Sequence, residues 1–157
     1  MAHDTTIYDT TLRDGCQGAG ISLALRDKLD IARRLDDAGI DYVEGGWPGS
    51  NPKDTEFFAA VRANPLRHAR VSAFGSTRRA GVRAEDDDNL RLLIAAETPT
   101  VALVAKAWDF HVRDVLHVTP EENLAMVADS VAFAKTHGRE VVFDAEHFFD
   151  GYRADRE

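Results

Sequence analysis

Short runs of apolar and β-branched residues alternate along this chain with segments whose apolar residues recur at helical spacing. The runs predict five strands at residues 6–9, 42–45, 70–75, 100–105 and 140–145. In the fourth run, Val101 to Val104 are apolar on successive residues, which is typical of a strand buried on both faces of a parallel sheet. The alternation therefore indicates an α/β protein.

The segments between these strands predict amphipathic helices. In the first, apolar residues repeat every three or four positions, and Gly39 is expected to end the helix as a cap. A helix near residues 86–96 opens with three aspartates, whose negative charges are favourable near the positive end of the helix dipole. The clearest helix begins at Thr119-Pro120-Glu121-Glu122, a capping box with proline at the first position. Its predicted buried stripe is Leu124, Val127, Ala128 and Val131.

The order of elements predicts four βα units and a fifth strand, which is part of a TIM (β/α)8 barrel. A closed barrel of this kind needs about 250 residues, so 157 residues provide about five eighths of it. An open, doubly wound sheet also fits the periodicity. Residues 148–153 lead from the fifth strand toward a helix that we do not expect to form within these residues, and no cap precedes Glu157. We therefore expect residues 1–157 to form one truncated barrel domain, without a linker.

Composition narrows the functional classes. The formal net charge of −8 argues against nucleic acid as a partner, because phosphate binding needs a basic face. No apolar run approaches the roughly 20 residues of a membrane span. The N-terminus lacks the pattern of a signal peptide, and the single cysteine, Cys16, cannot form an internal disulfide. These features predict a cytoplasmic protein.

Charged residues cluster where the predicted strands end, and reactive groups of parallel α/β folds collect there. The segments in question are 9–15, 44–52, 75–79, 106–109 and 144–147. They carry an arginine and several carboxylates, which suit a divalent cation and an oxygen-rich anionic substrate.

Several of these segments resemble a known family. Tyr8-Asp9-Thr10-Thr11-Leu12-Arg13-Asp14-Gly15 resembles the opening motif of the metal-dependent barrels that include isopropylmalate, homocitrate and citramalate synthases and hydroxymethylglutaryl-CoA lyase. Residues 44–54, 73–81 and 144–152 resemble the citramalate synthase branch. The resemblance extends from about residue 7 to residue 157.

The resemblance implies an acyltransferase of isoleucine biosynthesis that condenses acetyl-CoA with pyruvate to give citramalate and CoA. It implies Mg²⁺ or Mn²⁺ as cofactor, with Asp14 as a metal ligand, and a homodimeric full-length enzyme. By family position, Arg13 binds the substrate's ketone oxygen, Glu146 is a catalytic carboxylate, and Glu44 is a second, substrate-binding carboxylate. An arginine and a cation together would stabilise the alkoxide that develops on the ketone oxygen.

The sequence also departs from the family pattern. The family completes its metal site with a His-x-His pair, and no two histidines here are separated by a single residue; they are His3, His68, His111, His117, His137 and His147. We do not expect these 157 residues to include the family's regulatory domain. We therefore expect the 157-residue chain alone to be inactive.

Other residues have competing interpretations. Arg78, Arg79 and Arg83 could contact CoA phosphates or form a solvated cluster. Lys106 suggests Schiff-base chemistry, although a structural or pocket-lining role is the stronger interpretation. Cys16 is a weak candidate nucleophile. At the level of function, a synthase for another 2-oxo acid and a non-catalytic truncated chain remain as alternatives.

Overall fold

The computed structural model describes residues 5–156, which form one parallel sheet covered by helices. The strands are β1 (Tyr8–Asp9), β2 (Tyr42–Gly46), β3 (Arg70–Ser76), β4 (Thr100–Lys106) and β5 (Glu140–Glu146). The helices are α1 (Leu25–Asp37), α2 (Pro52–Ala63), α3 (Asp88–Ala95), α4 (Asp109–Asp114), α5 (Pro120–Thr136) and α6 (Phe148–Ala154). Short 3-10 turns lie at Gly15–Gln17 and Ala84–Asp86. Residues 1–4 and 157, which belong to the predicted domain, lie outside the described part.

The strand order distinguishes the two predicted architectures. All four pairings are parallel, and the order is β1-β2-β3-β4-β5. A doubly wound sheet would reverse its strand order at a switch point, whereas a barrel keeps the strands in sequence. The five strands and their helices form a half-barrel, which confirms the predicted partial TIM barrel.

The core lies between the sheet and the helices. Val43 of β2, Phe57 of α2 and Leu90 of α3 are each at most 1% exposed. Val101 and Leu103 of β4 are fully buried, as the continuous apolar run predicted. Burial of these side chains from water is the main driving force for folding.

The predicted helix boundaries follow from cap residues. Gly39 adopts φ +81° after α1, and the N–H groups of Gly39 and Ile40 donate to the carbonyls of Asp36 and Leu35. This is a Schellman cap, in which the left-handed position favours glycine. Asp87 caps α3, since its carboxylate accepts from the Leu90 N–H.

The predicted buried face of α5 is wrong in part. Leu124 is 67% exposed and Ala128 is also exposed, whereas Val131 is partly buried and packs against the core. The buried residues of α5 are Asn123, Met126, Ser130 and Ala134. The periodicity was misleading because two of these are polar and use their side chains for hydrogen bonds. Ser130 Oγ accepts from the Arg78 N–H at 2.9 Å, and Asn123 Nδ2 donates to the Lys106 carbonyl at 3.0 Å.

The capping box of α5 is only half formed. Thr119 Oγ1 accepts from the Glu122 N–H at 3.2 Å, as predicted. The Glu122 carboxylate, however, accepts from Arg78 Nη1 and from the Gly81 N–H instead of returning to Thr119. A buried arginine competes successfully with the cap for this carboxylate.

The expectation that no helix follows β5 is also wrong, because α6 forms. Its Gly151 packs so closely on the loop after β4 that a Cβ there would lie 2.0 Å from the Ala107 carbonyl oxygen. This contact between distant parts of the chain stabilises α6, and the local sequence pattern does not reveal it. The six-residue α4 was not predicted either, and it packs against α5 and α6.

Candidate active site

The carboxyl ends of the strands surround a cleft of about 510 Å³. Its charged lining residues are Arg13, Asp14, Lys106, Asp144 and Glu146. Three of the four predicted site residues, namely Arg13, Asp14 and Glu146, are thus brought together as expected. They come from the loop after β1 and from β5, at opposite ends of the described sheet.

The loop after β1 places Arg13 through a tight hydrogen-bonded turn. The N–H groups of Arg13, Asp14 and Gly15 all donate to the Thr10 carbonyl at 2.9–3.1 Å. The Asp9 carboxylate accepts from both the N–H and the hydroxyl of Thr11. Asp9 therefore has the turn-forming role that carboxylates often have in loops.

The guanidinium of Arg13 is held by a buried carboxylate. Arg13 Nε donates to Glu44 Oε1 at 2.5 Å, and the Glu44 residue is 2% exposed. The hydroxyl of Tyr8 donates to the other oxygen, Oε2, at 2.7 Å. Burial and then the Glu44 charge raise the pKa of Tyr8 far above its usual value, so Tyr8 remains a neutral donor.

The structure therefore places Glu44 behind Arg13, where both of its oxygens are engaged. A carboxylate in this position orients the arginine, and Glu44 does not line the cleft. Its predicted substrate contact stays a prediction. Sequence reasoning also missed Tyr8 as a partner, because the two residues are 36 positions apart in the chain.

Aromatic rings form one wall of the cleft. The Arg13 guanidinium carbon lies 3.8 Å from the centroid of the Phe74 ring, a cation–π contact. Trp47 packs edge-on against Phe74, with centroids 5.5 Å apart, and its indole N–H donates to Asn89 Oδ1 at 2.8 Å. These contacts restrict the guanidinium to one plane.

A buried ion pair fixes the loop after β2. Lys28 of α1 and Asp54 of α2 approach to 2.5 Å, with side chains 5% and 11% exposed. The Asp54 carboxylate also accepts from the Trp47 N–H at 2.8 Å. Gly46 lies against this carboxylate at φ +141°, and a Cβ there would lie 2.4 Å from Asp54 Cγ. This close approach requires glycine at position 46.

At the end of β4, Lys106 forms an ion pair with Glu146 at the end of β5. The two side chains are 25% and 36% exposed, and both line the cleft. This arrangement agrees with the interpretation of Lys106 as a pocket-lining residue.

Asp14 is the most exposed of the predicted site residues, with 61% of its side chain accessible, and it contacts Arg13 Nη1 at 3.2 Å. Among residues 5–156, no three or more His, Cys, Asp or Glu side chains are grouped so that they could hold a metal ion. Mg²⁺ prefers about six oxygen ligands in octahedral geometry. The described residues therefore do not form a complete metal site.

The arginines considered for CoA phosphates are paired with carboxylates. Arg78 is buried and contacts Glu122 at 2.9 Å and Asp129 at 2.8 Å. Arg79 pairs with Asp87, and Arg83 pairs with Glu85. Arg78 thus joins the loop after β3 to α5 and is neither a free phosphate ligand nor a member of a solvated cluster.

Cys16 and the histidines contribute little to the cleft. Burial raises the pKa of the Cys16 thiol, whose Sγ lies 3.3 Å from the Thr11 carbonyl, so a reactive thiolate is disfavoured. His111 and His147 are in edge-to-face contact, with centroids 4.5 Å apart, and His147 pairs with Asp150. His3 lies outside the described residues.

No helix in the described range, residues 5–156, is long and apolar enough to cross a membrane.

Comparison with known proteins finds close relatives. The chain is 51% identical over 157 residues to (R)-citramalate synthase of Aquifex aeolicus, covering 100% of this chain and 30% of that protein. It is 55% identical over 152 residues to (R)-citramalate synthase of Streptomyces coelicolor, covering 96% and 28%. Identity falls to 34% over 141 residues with homocitrate synthase of Methanothermobacter thermautotrophicus, covering 90% and 34%. The chain spans about 30% of the length of these relatives.

Solved structures agree on the fold. HMG-CoA lyase of Bacillus subtilis superposes with a TM-score of 0.66 at 16% identity, covering 88% of this chain and 45% of that one. The HMGL-like family model matches residues 4–155, nearly the whole sequence. The chain therefore belongs to the HMGL-like family.

Proposed function

We propose that this chain is part of the catalytic domain of a citramalate synthase, an acyltransferase that joins acetyl-CoA to pyruvate and releases citramalate and CoA. The observation that carries the proposal is the difference in identity between relatives. Identity is 51–55% with (R)-citramalate synthases but 34% with a homocitrate synthase. The difference favours pyruvate over the other 2-oxo acids of the family.

The geometry of Arg13 supports the reaction type. Attack of the acetyl carbon on a ketone places negative charge on the ketone oxygen. Arg13 faces the cleft with its Nε tied to Glu44, so its remaining N–H groups are oriented in advance. A preoriented donor in a partly buried site stabilises the developing charge without reorganising during the reaction.

The location of Glu146 in the cleft supports a role in proton transfer. It lies at the end of β5, lines the same cleft, and is 36% exposed. To become a nucleophile, the methyl group of acetyl-CoA must lose a proton. We propose that the Glu146 carboxylate accepts this proton or orients the acceptor. Glu44 is a positioning residue in this account, because it acts through Arg13.

Enzymes of this family generally use a divalent metal, and Asp14 is the carboxylate that we propose as one ligand for Mg²⁺ or Mn²⁺. The residues described do not complete such a site, so the remaining ligands would come from outside residues 5–156. We also propose that the full-length protein is a homodimer located in the cytoplasm.

The proposal is tested by release of free CoA from acetyl-CoA, measured with a thiol reagent on the full-length protein that carries this chain. Pyruvate should give the fastest release among the 2-oxo acids of the family. A faster reaction with 2-oxoisovalerate would assign the protein to the isopropylmalate synthases instead.

A further inference from the structure

We infer that Lys106 binds the carboxylate of the 2-oxo acid, and that Glu146 is its partner only while that carboxylate is absent. The inference rests on the proposed function and adds a substrate-binding residue to it. It arises from the Lys106–Glu146 ion pair in the cleft.

The backbone fixes both partners of this pair. Lys106 and Glu146 are the last residues of β4 and β5, and they lie directly opposite each other in the sheet register. The Ala107 N–H donates to the Glu146 carbonyl at 3.1 Å, and Asn123 Nδ2 donates to the Lys106 carbonyl at 3.0 Å. The strand ends are therefore held in place, and only the side chains can exchange partners.

A second lysine pair in the same protein shows what a purely structural pair looks like. The side chains of Lys28 and Asp54 are 5% and 11% exposed, and Asp54 has further donors in Trp47 and Asn51. The side chains of Lys106 and Glu146 are 25% and 36% exposed and open to the cleft. An ion pair that water can reach contributes little to the stability of the protein. The Lys106 ammonium can therefore exchange the Glu146 carboxylate for a substrate carboxylate at a small cost in free energy.

The cleft offers two cations to a substrate with two adjacent oxygen functions. Arg13 is already engaged by Glu44 at Nε, by Asp14 at Nη1, and by the Phe74 ring on one face. Its remaining N–H groups suit the single ketone oxygen. Lys106 is the other cation that lines the cleft, and Glu146 is the one carboxylate it contacts among the described residues. The substrate carboxylate therefore belongs on Lys106, and its arrival frees Glu146 for proton transfer.

If the substrate carboxylate replaces Glu146 at Lys106, substitutions of Lys106 and of Glu146 should change pyruvate affinity in opposite directions. Calorimetry on the full-length protein without acetyl-CoA measures this affinity. Lys106→Met should weaken pyruvate binding by about 10- to 100-fold, the range for loss of a charge-assisted hydrogen bond. Lys106→Arg should stay within several-fold of the wild type. Glu146→Gln should bind pyruvate more tightly, because the competing carboxylate is gone. Lys135→Met, at an exposed lysine in the last turn of α5, is the matched control and should change nothing.

Turnover provides the second readout. With Lys106→Met, KM for pyruvate should rise by at least 10-fold while KM for acetyl-CoA stays unchanged. Unchanged pyruvate affinity in Lys106→Met, or weaker affinity in Glu146→Gln, would overturn the inference while leaving the proposed function intact. A pyruvate adduct on Lys106 trapped by borohydride would also overturn it, because a lysine that binds a carboxylate as an ammonium forms no imine. Failure of the wild type to bind any 2-oxo acid would remove the proposed function and the inference together.

Discussion

Arg13 and Glu44 link the cleft to the buried interior of the protein, with Arg13 Nε 2.5 Å from Glu44 Oε1. Their side chains are 16% and 3% exposed, so the carboxylate is hidden and the guanidinium reaches the cleft. The position of the guanidinium is therefore set from behind, by Glu44 and by the Tyr8 hydroxyl that holds Glu44. This relationship makes the contributions of Arg13 and Tyr8 separately testable.

Arg13→Lys should lower kcat of the full-length protein by about 100-fold or more, as loss of one oxyanion donor often does. Lysine keeps the charge but lacks the planar fork, which contacts Glu44 and which we propose contacts the ketone oxygen at the same time. Steady-state kinetics with thiol detection would measure the change, and circular dichroism would show that the fold is kept. Arg33→Lys, at an exposed arginine of α1, is the control and should have wild-type kcat. An Arg13→Lys enzyme with most of its kcat would remove Arg13 from the mechanism.

Tyr8→Phe should reveal a pH dependence of stability. Burial and the Glu44 charge raise the pKa of Tyr8 in the folded state, whereas in the unfolded chain the pKa is about 10. The stability that the neutral hydroxyl contributes is complete below pH ~10, and it is lost above this pH as the unfolded chain ionises first. The loss is at most about 1.4 kcal/mol per pH unit.

Urea unfolding at several pH values between ~8 and ~11 would measure this effect. Tyr8→Phe should be less stable than the wild type at pH 8 by about 1–3 kcal/mol, because a buried Glu44 oxygen loses its donor. The deficit should shrink as the pH rises above ~10. Tyr152→Phe, at a tyrosine that is 49% exposed, should show no such convergence. A Tyr8→Phe deficit that stays constant to pH 11 would contradict the assigned role of the hydroxyl.

The fold could be predicted because its signals are local. Each predicted strand lies within two residues of the observed one at both ends, and cap residues such as Gly39 and Thr119 mark the helix boundaries. The buried face of α5 could not be predicted, because Asn123 and Ser130 are polar and are buried only through hydrogen bonds to distant residues. The same limit applies to α6, whose Gly151 packs on the Ala107 backbone.

The sequence predicted which residues share the site, but not their contacts. Because reactive groups of parallel α/β folds collect at the carboxyl ends of strands, Arg13, Asp14 and Glu146 were expected in one cleft, where the structure has them. The sequence could not assign partners, since whether a carboxylate faces the cleft or lies behind an arginine depends on side-chain packing. Tyr8 of β1 contacts Glu44 of β2, and Arg78 forms an ion pair with Asp129 of α5. Neither contact can be predicted from the neighbouring residues in the sequence.

The 157-residue chain alone should show weak Mg²⁺ or Mn²⁺ binding by calorimetry and no CoA release above background. The described residues contain no group of three or more metal-ligating side chains, and one exposed carboxylate such as Asp14 binds these cations poorly. Within residues 5–156, β1 and β5 are edge strands, which leaves backbone groups open to association. Turnover by the pure chain, free of any longer synthase, would require a site that we have not identified.

The most direct test of the central claim is the rate of CoA release by the full-length protein with pyruvate, 2-oxoisovalerate and 2-oxoglutarate, each at saturating acetyl-CoA. Comparison of kcat/KM across the three acids isolates the choice of 2-oxo acid from the common acyl donor. We predict the highest kcat/KM with pyruvate, and citramalate as the product. A higher value with 2-oxoisovalerate or 2-oxoglutarate, or no CoA release with any of the three, would contradict the account.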